Sequence, residues 1–400
     1  MSESNDAYSQ AATSGKYDRG QAYYSKYDNV RLFWEDALTR KYIKPSVAAR
    51  LATCKAMGRG LRILDMGCGS GDGFELYMQI PADVFDLRSD TNRLIEYEDI
   101  DAYTGVDLNE ELLKQNSERW GNDPKMAFHR ADLSKGLPDV RDEKPYDIYS
   151  TTYGTLSHLK REQTVQLLCD IVQHGENGSV VVCDWLGRFS YEWQDLWNDD
   201  TSVEQWMDYY ISYIYPPEKR KEVELSLLKL RLVTKEEITQ HVLGPVKERT
   251  GDGLELKGFY DRSIFIGRHI DTGDYNPHAR PLRQYVNSLF ERSLRTPLKD
   301  LLTPYHPHDN IQTENEFFQR AFDAWNYVVS QCAAICYDEP VVPEYEEIDP
   351  PKSAIDTVSR FRDLASQLDR FCTDDIRADI LEVQLAFLLR ELEAVLQQGH

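Results

Sequence analysis

No run of apolar residues approaches the roughly 18–20 that a membrane-spanning helix needs, so the sequence offers no transmembrane segment. The first 20 residues, MSESNDAYSQAATSGKYDRG, lack the apolar core of a secretion signal and read as a polar, disordered leader. Basic residues are in deficit: 46 lysines and arginines face 68 aspartates and glutamates, a net charge of −22 over 400 residues. Such a chain repels phosphate backbones over most of its surface, which argues against nucleic acid as a partner and against charge-driven binding to an anionic membrane. Cysteine is sparse and unpatterned. The seven, at positions 54, 68, 169, 183, 332, 336 and 372, are odd in number and form no C-x-x-C pair or Cys/His cluster. Neither a disulfide framework nor a metal site is expected, and a reducing cytoplasm suits the chain. Cys332 and Cys336, one helical turn apart without nearby histidines, read as small core residues. No internal repeat is visible.

What is present is enough apolar material, 41% of residues, for a sizeable core. Residues 21–58 carry Tyr23, Tyr27, Val30, Phe33, Trp34 and Leu38 at helical spacing, then Val47, Ala48 and Leu51 after Pro45; two helices forming a cap are expected. Residues 59–275 alternate short β-rich runs with helical stretches: LRILDM, YTGVDL, MAFHRADL, YDIYSTT, SVVVCDW, LELKGFY and SIFIGRHI. That alternation predicts an α/β domain with a sheet of about seven strands, largely parallel. The last two runs are too close for a crossover helix and should form an antiparallel hairpin at the sheet edge. Residues 276–400 are helical in period, broken by the acidic, proline-rich DEPVVPEYEEIDPPK, and form a helical extension. Its last stripe, from Ile376 through Leu392 to Val395, suits either a homodimer interface or packing onto its own domain.

The strongest local signal is Ile63-Leu64-Asp65-Met66-Gly67-Cys68-Gly69-Ser70-Gly71-Asp72-Gly73, an apolar strand running into glycines with a helix expected from about Phe74. Glycines there let a ligand approach the backbone, and the new helix offers free N–H groups. A dinucleotide fingerprint counted from Gly67 fails at Asp72, and no Gly-Lys-Ser/Thr follows for a Walker loop. The carboxylate of Asp65 beside the turn would repel a pyrophosphate and attract an ammonium, so the fitting ligand has an amino-acid end and no phosphates.

With Asp65, Gly67, Gly69 and Gly71 in this order, the chain resembles the class I S-adenosylmethionine-dependent methyltransferases, Rossmann-like enzymes, over residues 58–270. The resemblance continues through Tyr103-Thr104-Gly105-Val106-Asp107, Arg130-Ala131-Asp132-Leu133, the fourth strand ending in Thr152-Tyr153-Gly154, and Val180-Val181-Val182-Cys183-Asp184-Trp185. It implies S-adenosylmethionine as cofactor, with Asp107 on the ribose hydroxyls and Leu108 beside it. Asp132 and Leu133 would lie at adenine, and Asp65, the three glycines and Thr152 around the methionyl end. Gly71 and Asp107 lie 36 residues apart, longer than the family's usual spacing, so an insertion over about 80–101 lengthens the first crossover.

For the chemistry, an oxygen acceptor needs a base near the methyl, a nitrogen acceptor only a free lone pair. Tyr153 is the candidate for lining the reaction pocket, the alternative being a buried aromatic with its hydroxyl bonded; His158 is a candidate base, the alternative being a packing or capping role. Trp185, Arg188, Tyr191 and Trp193 open an aromatic segment suited to a flat ring, with Arg188 placed to pair a carboxylate. The acidic charge and the absence of Asn/Asp-Pro-Pro-Tyr/Phe at the end of the fourth strand favour a small-molecule acceptor over nucleic acid. Two alternatives stay open: transfer or cyclisation of the aminocarboxypropyl group, releasing methylthioadenosine, and a non-catalytic domain of the same fold that recruits a partner.

Overall fold

The computed structural model describes residues 8–11, 26–82 and 92–399, except 139, 141–142, 224, 226, 252, 263–265, 292–293, 310, 338–339 and 347. Its centre is β1 (Leu61–Met66), the middle strand of a five-stranded parallel sheet. Flanking it are β2 (Ile100–Asp107), β3 (Met126–Arg130), β4 (Ile148–Thr151) and β5 (Val180–Cys183), in the order β3-β2-β1-β4-β5. A central parallel strand is covered on both faces and reads as a continuous apolar run. Leu61 and Ile63 accordingly meet Val47, Leu51 and Cys54 on one face, and Leu64 and Met66 meet Val165 and Leu168 on the other.

The covering helices are α1 (Asp36–Ala56), entered through a π-helical turn at Arg31–Glu35, then α2 (Asp72–Met78), α3 (Glu110–Trp120) and α4 (Arg161–His174). The break expected at Pro45 does not occur: α1 runs straight through it. Proline removes one helical hydrogen bond and strains the turn before it, but Leu38 on one side and Val47 and Leu51 on the other are buried, which holds both halves in line. α3 starts where the Asn109 side chain accepts from the Glu111 and Leu112 N–H groups. Sheet order reverses between β1 and β4, so the loops leaving these strands diverge and open a crevice at their C-terminal ends.

A second, three-stranded sheet follows: β6 (Leu186–Gly187), β7 (Gln205–Tyr210) and β8 (Leu227–Val233), ordered β6-β8-β7 with β7 and β8 antiparallel. The seven-stranded sheet closed by a hairpin over LELKGFY and SIFIGRHI is thus corrected. Residues 254–262 carry no strand, residues 263–265 lie outside the described residues, and the antiparallel pair is β7 with β8. Pairing goes to β8 because Leu228, Leu230 and Leu232 alternate with Lys229 and Arg231, giving one apolar face that packs with Met207 and Trp193.

The extension consists of α5 (Leu282–Leu289), α6 (Gln312–Tyr337), α7 (Lys352–Leu368) and α8 (Asp374–Leu396). Cys332 and Cys336 of α6, Phe361 of α7 and Leu385 and Leu389 of α8 share a core with Val30 and Trp34 from the N-terminal segment. Trp34 donates its indole N–H to Glu393 at 2.7 Å. Arg283 grips Asp28 through two bonds of 2.7 Å and Glu35 through a third of 2.7 Å. Cap and extension therefore form one packed layer, against which α8 buries Leu381, Leu385, Leu388, Leu389 and Leu392; of the expected stripe, Leu388 and Leu392 are buried, whereas Ile376 and Val395 are exposed. The leader is corrected in part: residues 8–11 are helical and Ala11 is buried against the second sheet, whereas 1–7 and 12–25, with Tyr23, lie outside the described residues. Of the expected insertion, 83–91 lies outside them as well; its flanks are joined by a bridge between Pro81 and Arg93. Among the described residues no helix is long and apolar enough to cross a membrane.

Candidate cofactor and acceptor site

The crevice holds a cleft of about 2760 Å³, larger than the roughly 300–1,000 Å³ typical for one small ligand. Its floor is the turn after β1. Gly67, Gly69 and Gly71 all have positive φ (79°, 50° and 84°). A Cβ at Gly67 would stand 2.5 Å from Thr155 and one at Gly71 2.2 Å from the Trp120 ring, whereas at Gly69 it would meet only Lys26 Nζ at 3.8 Å. Close packing thus requires glycine at the outer two positions, and Gly69 leaves the backbone open to a ligand.

The turn is pinned to the neighbouring strand. Gly67 and Cys68 donate their N–H groups to the Val106 carbonyl (2.8 and 3.0 Å), and Gly69 donates to Asp107 Oδ2 at 2.8 Å. Asp107 also accepts from Asn109 N at 2.9 Å. Burial raises its pKa against the opposing effect of these backbone donors. Despite the long first crossover, Asp107 ends β2 directly beside the turn. Asp132, after β3, accepts from Ser134 N (3.1 Å) and Oγ (2.6 Å), and it borders the cleft together with Leu133 and Leu108. The structure therefore brings Gly67, Gly69, Asp107, Leu108, Asp132, Leu133 and Thr152 to one cleft.

Asp65 is placed differently from the expectation that it faces an ammonium. It is 1% exposed and does not border the cleft. Its Oδ2 accepts from the Tyr103 hydroxyl at 2.5 Å and lies against Gly73, where a Cβ would come within 2.1 Å. Burial pushes this carboxyl up to about 7. A carboxylate after the glycines that does border the cleft is Asp72, paired with Lys26 and with Arg31 at 3.7 Å, and accepting from the Tyr27 hydroxyl at 2.5 Å. Burial works to raise Asp72, but Lys26 and Arg31 hold it well below the carboxylate range. Gly71 caps α2 behind the turn and does not border the cleft.

At the end of β4, Tyr153 has φ 60°, the one positive φ outside glycine among the described residues, and its ring lies 3.8 Å beneath the Arg31 guanidinium. His158 closes the short turn Thr155–His158; its Nε2 and the Tyr8 hydroxyl are hydrogen-bonded at 3.2 Å, and burial lowers it to about 4. Trp185 borders the cleft with its indole N–H buried and unpartnered.

Two acceptor-binding expectations are corrected. Arg188 is 1% exposed; its guanidinium meets Glu237 at 3.2 Å and the carbonyls of Asp200 and Val203 at 2.6 and 3.1 Å, so it is not available to an incoming carboxylate. Tyr191 is fully buried among Tyr305, Phe318 and Phe322, away from the cleft. The cause is the kinked 3-10 segment Tyr191–Leu196, whose non-helical Trp193 turns the two aromatics to different sides. Trp193 does border the cleft, with its N–H donated to the Gly187 carbonyl at 2.9 Å. Tyr209 and Tyr213, in the continuation of the aromatic segment, also border the cleft, and the residues that sequence reasoning missed there are Lys26, Arg31, Asp72, Glu192 and His269. Asp72 alone had a local signal, as the charge directly after the glycines.

No protein-family model and no curated protein matches the chain. Among solved structures it is similar to a S-adenosylmethionine-dependent methyltransferase from Clostridium acetobutylicum (14% identity, 50% of this chain and 78% of that one, TM-score 0.31). It is also similar to the CcbJ methyltransferase from Streptomyces caelestis (15% identity, 50% and 76%, TM-score 0.31). A third is CalS10, an amino pentose methyltransferase from Micromonospora echinaspora (14% identity, 61% and 87%, TM-score 0.30). The fold class is defined by the chain's own strand order: a doubly wound, Rossmann-like sheet with its cleft at the switch point between β1 and β4.

Proposed function

We propose that the chain is a class I S-adenosylmethionine-dependent methyltransferase acting on a small-molecule acceptor. The observation that carries this is the open glycine turn tied to Asp107 on one side, with Asp132 and Leu133 in the same cleft. Two carboxylates, Asp72 and Asp107, border the turn, a setting hostile to a pyrophosphate and compatible with a ligand ending in an amino acid. Asp107 would hold the ribose hydroxyls, Asp132 and the Leu133 backbone the adenine, and Gly67, Gly69 and Thr152 the methionyl end. The Lys26–Asp72 pair offers both signs to the zwitterionic terminus.

When bound, the cofactor supplies a sulfonium-activated methyl group. The chain's part is to align the acceptor with it and exclude water, for which the half-buried Tyr153 and Trp185 and the buried Trp193 are suited. The acidic surface favours a small acceptor over nucleic acid, and the volume of the cleft accommodates a second ligand beside the cofactor. Calorimetric titration of the full chain with S-adenosylmethionine and, separately, NAD tests the cofactor assignment. Saturable binding of the sulfonium compound without NAD binding is expected; binding of NAD alone, or of neither, overturns it.

A further inference from the structure

His269 lies on a bend that borders the same cleft as the second sheet. It is 1% exposed, and neither ring nitrogen has a hydrogen-bond partner. Its ring is boxed edge-to-face by Tyr209, Tyr275 and Tyr213, with centroids at 4.6, 5.0 and 5.6 Å. Two of the hydroxyls in the box are engaged elsewhere: Tyr213 accepts from Arg268 at 2.9 Å, and Tyr275 donates to the Asp208 carbonyl at 3.0 Å. Burying a polar nitrogen without a partner costs roughly 1–3 kcal/mol, so a buried, rigidly held imidazole with two idle nitrogens at a cleft wall calls for a ligand.

The surroundings define what that ligand is. Burial, reinforced by Arg268, Arg220 and Arg283, holds His269 down to about 3, so at neutral pH it offers one neutral donor and one neutral acceptor. The charged groups nearby face one another: Arg268 lies 3.5 Å from Glu35, which also takes a bond from Arg283 at 2.7 Å. Glu192 accepts the His269 backbone N–H at 2.5 Å, and burial raises it to about 7, which weakens its standing as a fixed anion. Aromatic walls and a neutral donor–acceptor pair remain.

We propose that His269 binds the acceptor, and that the acceptor is an uncharged aromatic molecule bearing a hydroxyl group, which hydrogen-bonds to the imidazole within the tyrosine box. The assignment deepens the methyltransferase function proposed above and rests on it for the word acceptor. Catechol, phenethylamine and benzoate share one ring and differ in charge, so their binding to the full chain, followed by saturation-transfer NMR with and without S-adenosylhomocysteine, tests it. Catechol should bind at least tenfold more tightly than either charged probe. His269→Phe, which preserves the aromatic packing, should weaken catechol at least tenfold, and His269→Gln, which retains a donor and an acceptor, should stay within about threefold of the parent. Preference for phenethylamine would shift the acceptor to the Glu192 carboxylate and overturn the proposal. So would preference for benzoate, no catechol binding, or catechol binding unaffected by His269→Phe. Loss of S-adenosylhomocysteine binding with His269-dependent catechol binding intact would count against the cofactor assignment alone.

Discussion

Replacing Asp107 by alanine removes two things at once. The carboxylate is the group proposed to accept from two ribose hydroxyls, and its loss should cost roughly 1–3 kcal/mol of cofactor binding, because charged acceptors give the stronger hydrogen bonds. It also receives Gly69 N at 2.8 Å and Asn109 N at 2.9 Å, so the variant releases the turn that must cradle the ligand. One freed backbone donor adds about 1 kcal/mol. Together these amount to roughly 2–4 kcal/mol, a rise in Kd of roughly 30- to 700-fold at 1.4 kcal/mol per tenfold. Asp107→Asn keeps one oxygen for Gly69 N and should lose only about tenfold. Isothermal titration with S-adenosylmethionine reads both, with near-UV circular dichroism to confirm that the fold survives. An alanine variant that is folded and binds within threefold of the parent would refute the placement of the cofactor on β2.

Arg283 is buried and satisfies both Asp28 and Glu35, so Arg283→Met should destabilise by about 3–5 kcal/mol in denaturant unfolding, the cost of leaving a buried charge without its partner; a loss under 1 kcal/mol would contradict the buried network. Phe361→Ala in the core shared by the extension and the N-terminal cap should cost about 3–5 kcal/mol, with one unfolding transition reported by all probes; separate transitions for sheet and helices would contradict a common layer. Asp65, raised by burial to about 7, holds its proton more firmly folded than unfolded. Its contribution to stability is therefore fully present below about pH 4 and is lost as pH rises through 7. Asp65→Asn should accordingly gain on the parent by roughly 2–4 kcal/mol between pH 4 and pH 8, and a pH-independent difference would show that the carboxyl is not held in this way.

The parts of the site carried by strand ends were legible because each is a local pattern. Apolar runs closing in Gly67, Asp107, Asp132 and Thr152 announce their positions, and the parallel register then brings them together. The second sheet had a period-two signal in Leu228, Leu230 and Leu232, overshadowed by the aromatic density of residues 185–215. Roles that depend on distant partners were not legible. Arg188 looks like a free cation until Glu237 closes on it from 49 positions away. Tyr191 looks like a pocket aromatic until the helix carrying Phe318 and Phe322 folds over it. Lys26 and His269 have no neighbouring motif; only the fold places one beside Asp72 and the other inside three tyrosines. Asp65 shows the limit of a strand-end rule, since the side chain's direction at β1 depends on Tyr103 across the register.

The central claim, methyl transfer to a small acceptor, is tested most directly by incubating the purified chain with methyl-labelled S-adenosylmethionine and a small-metabolite extract, then following label and by-products by mass spectrometry. S-adenosylhomocysteine together with a labelled small molecule is the predicted result. Methylthioadenosine above its spontaneous background, with no labelled product, would contradict methyl transfer and point to the aminocarboxypropyl group instead.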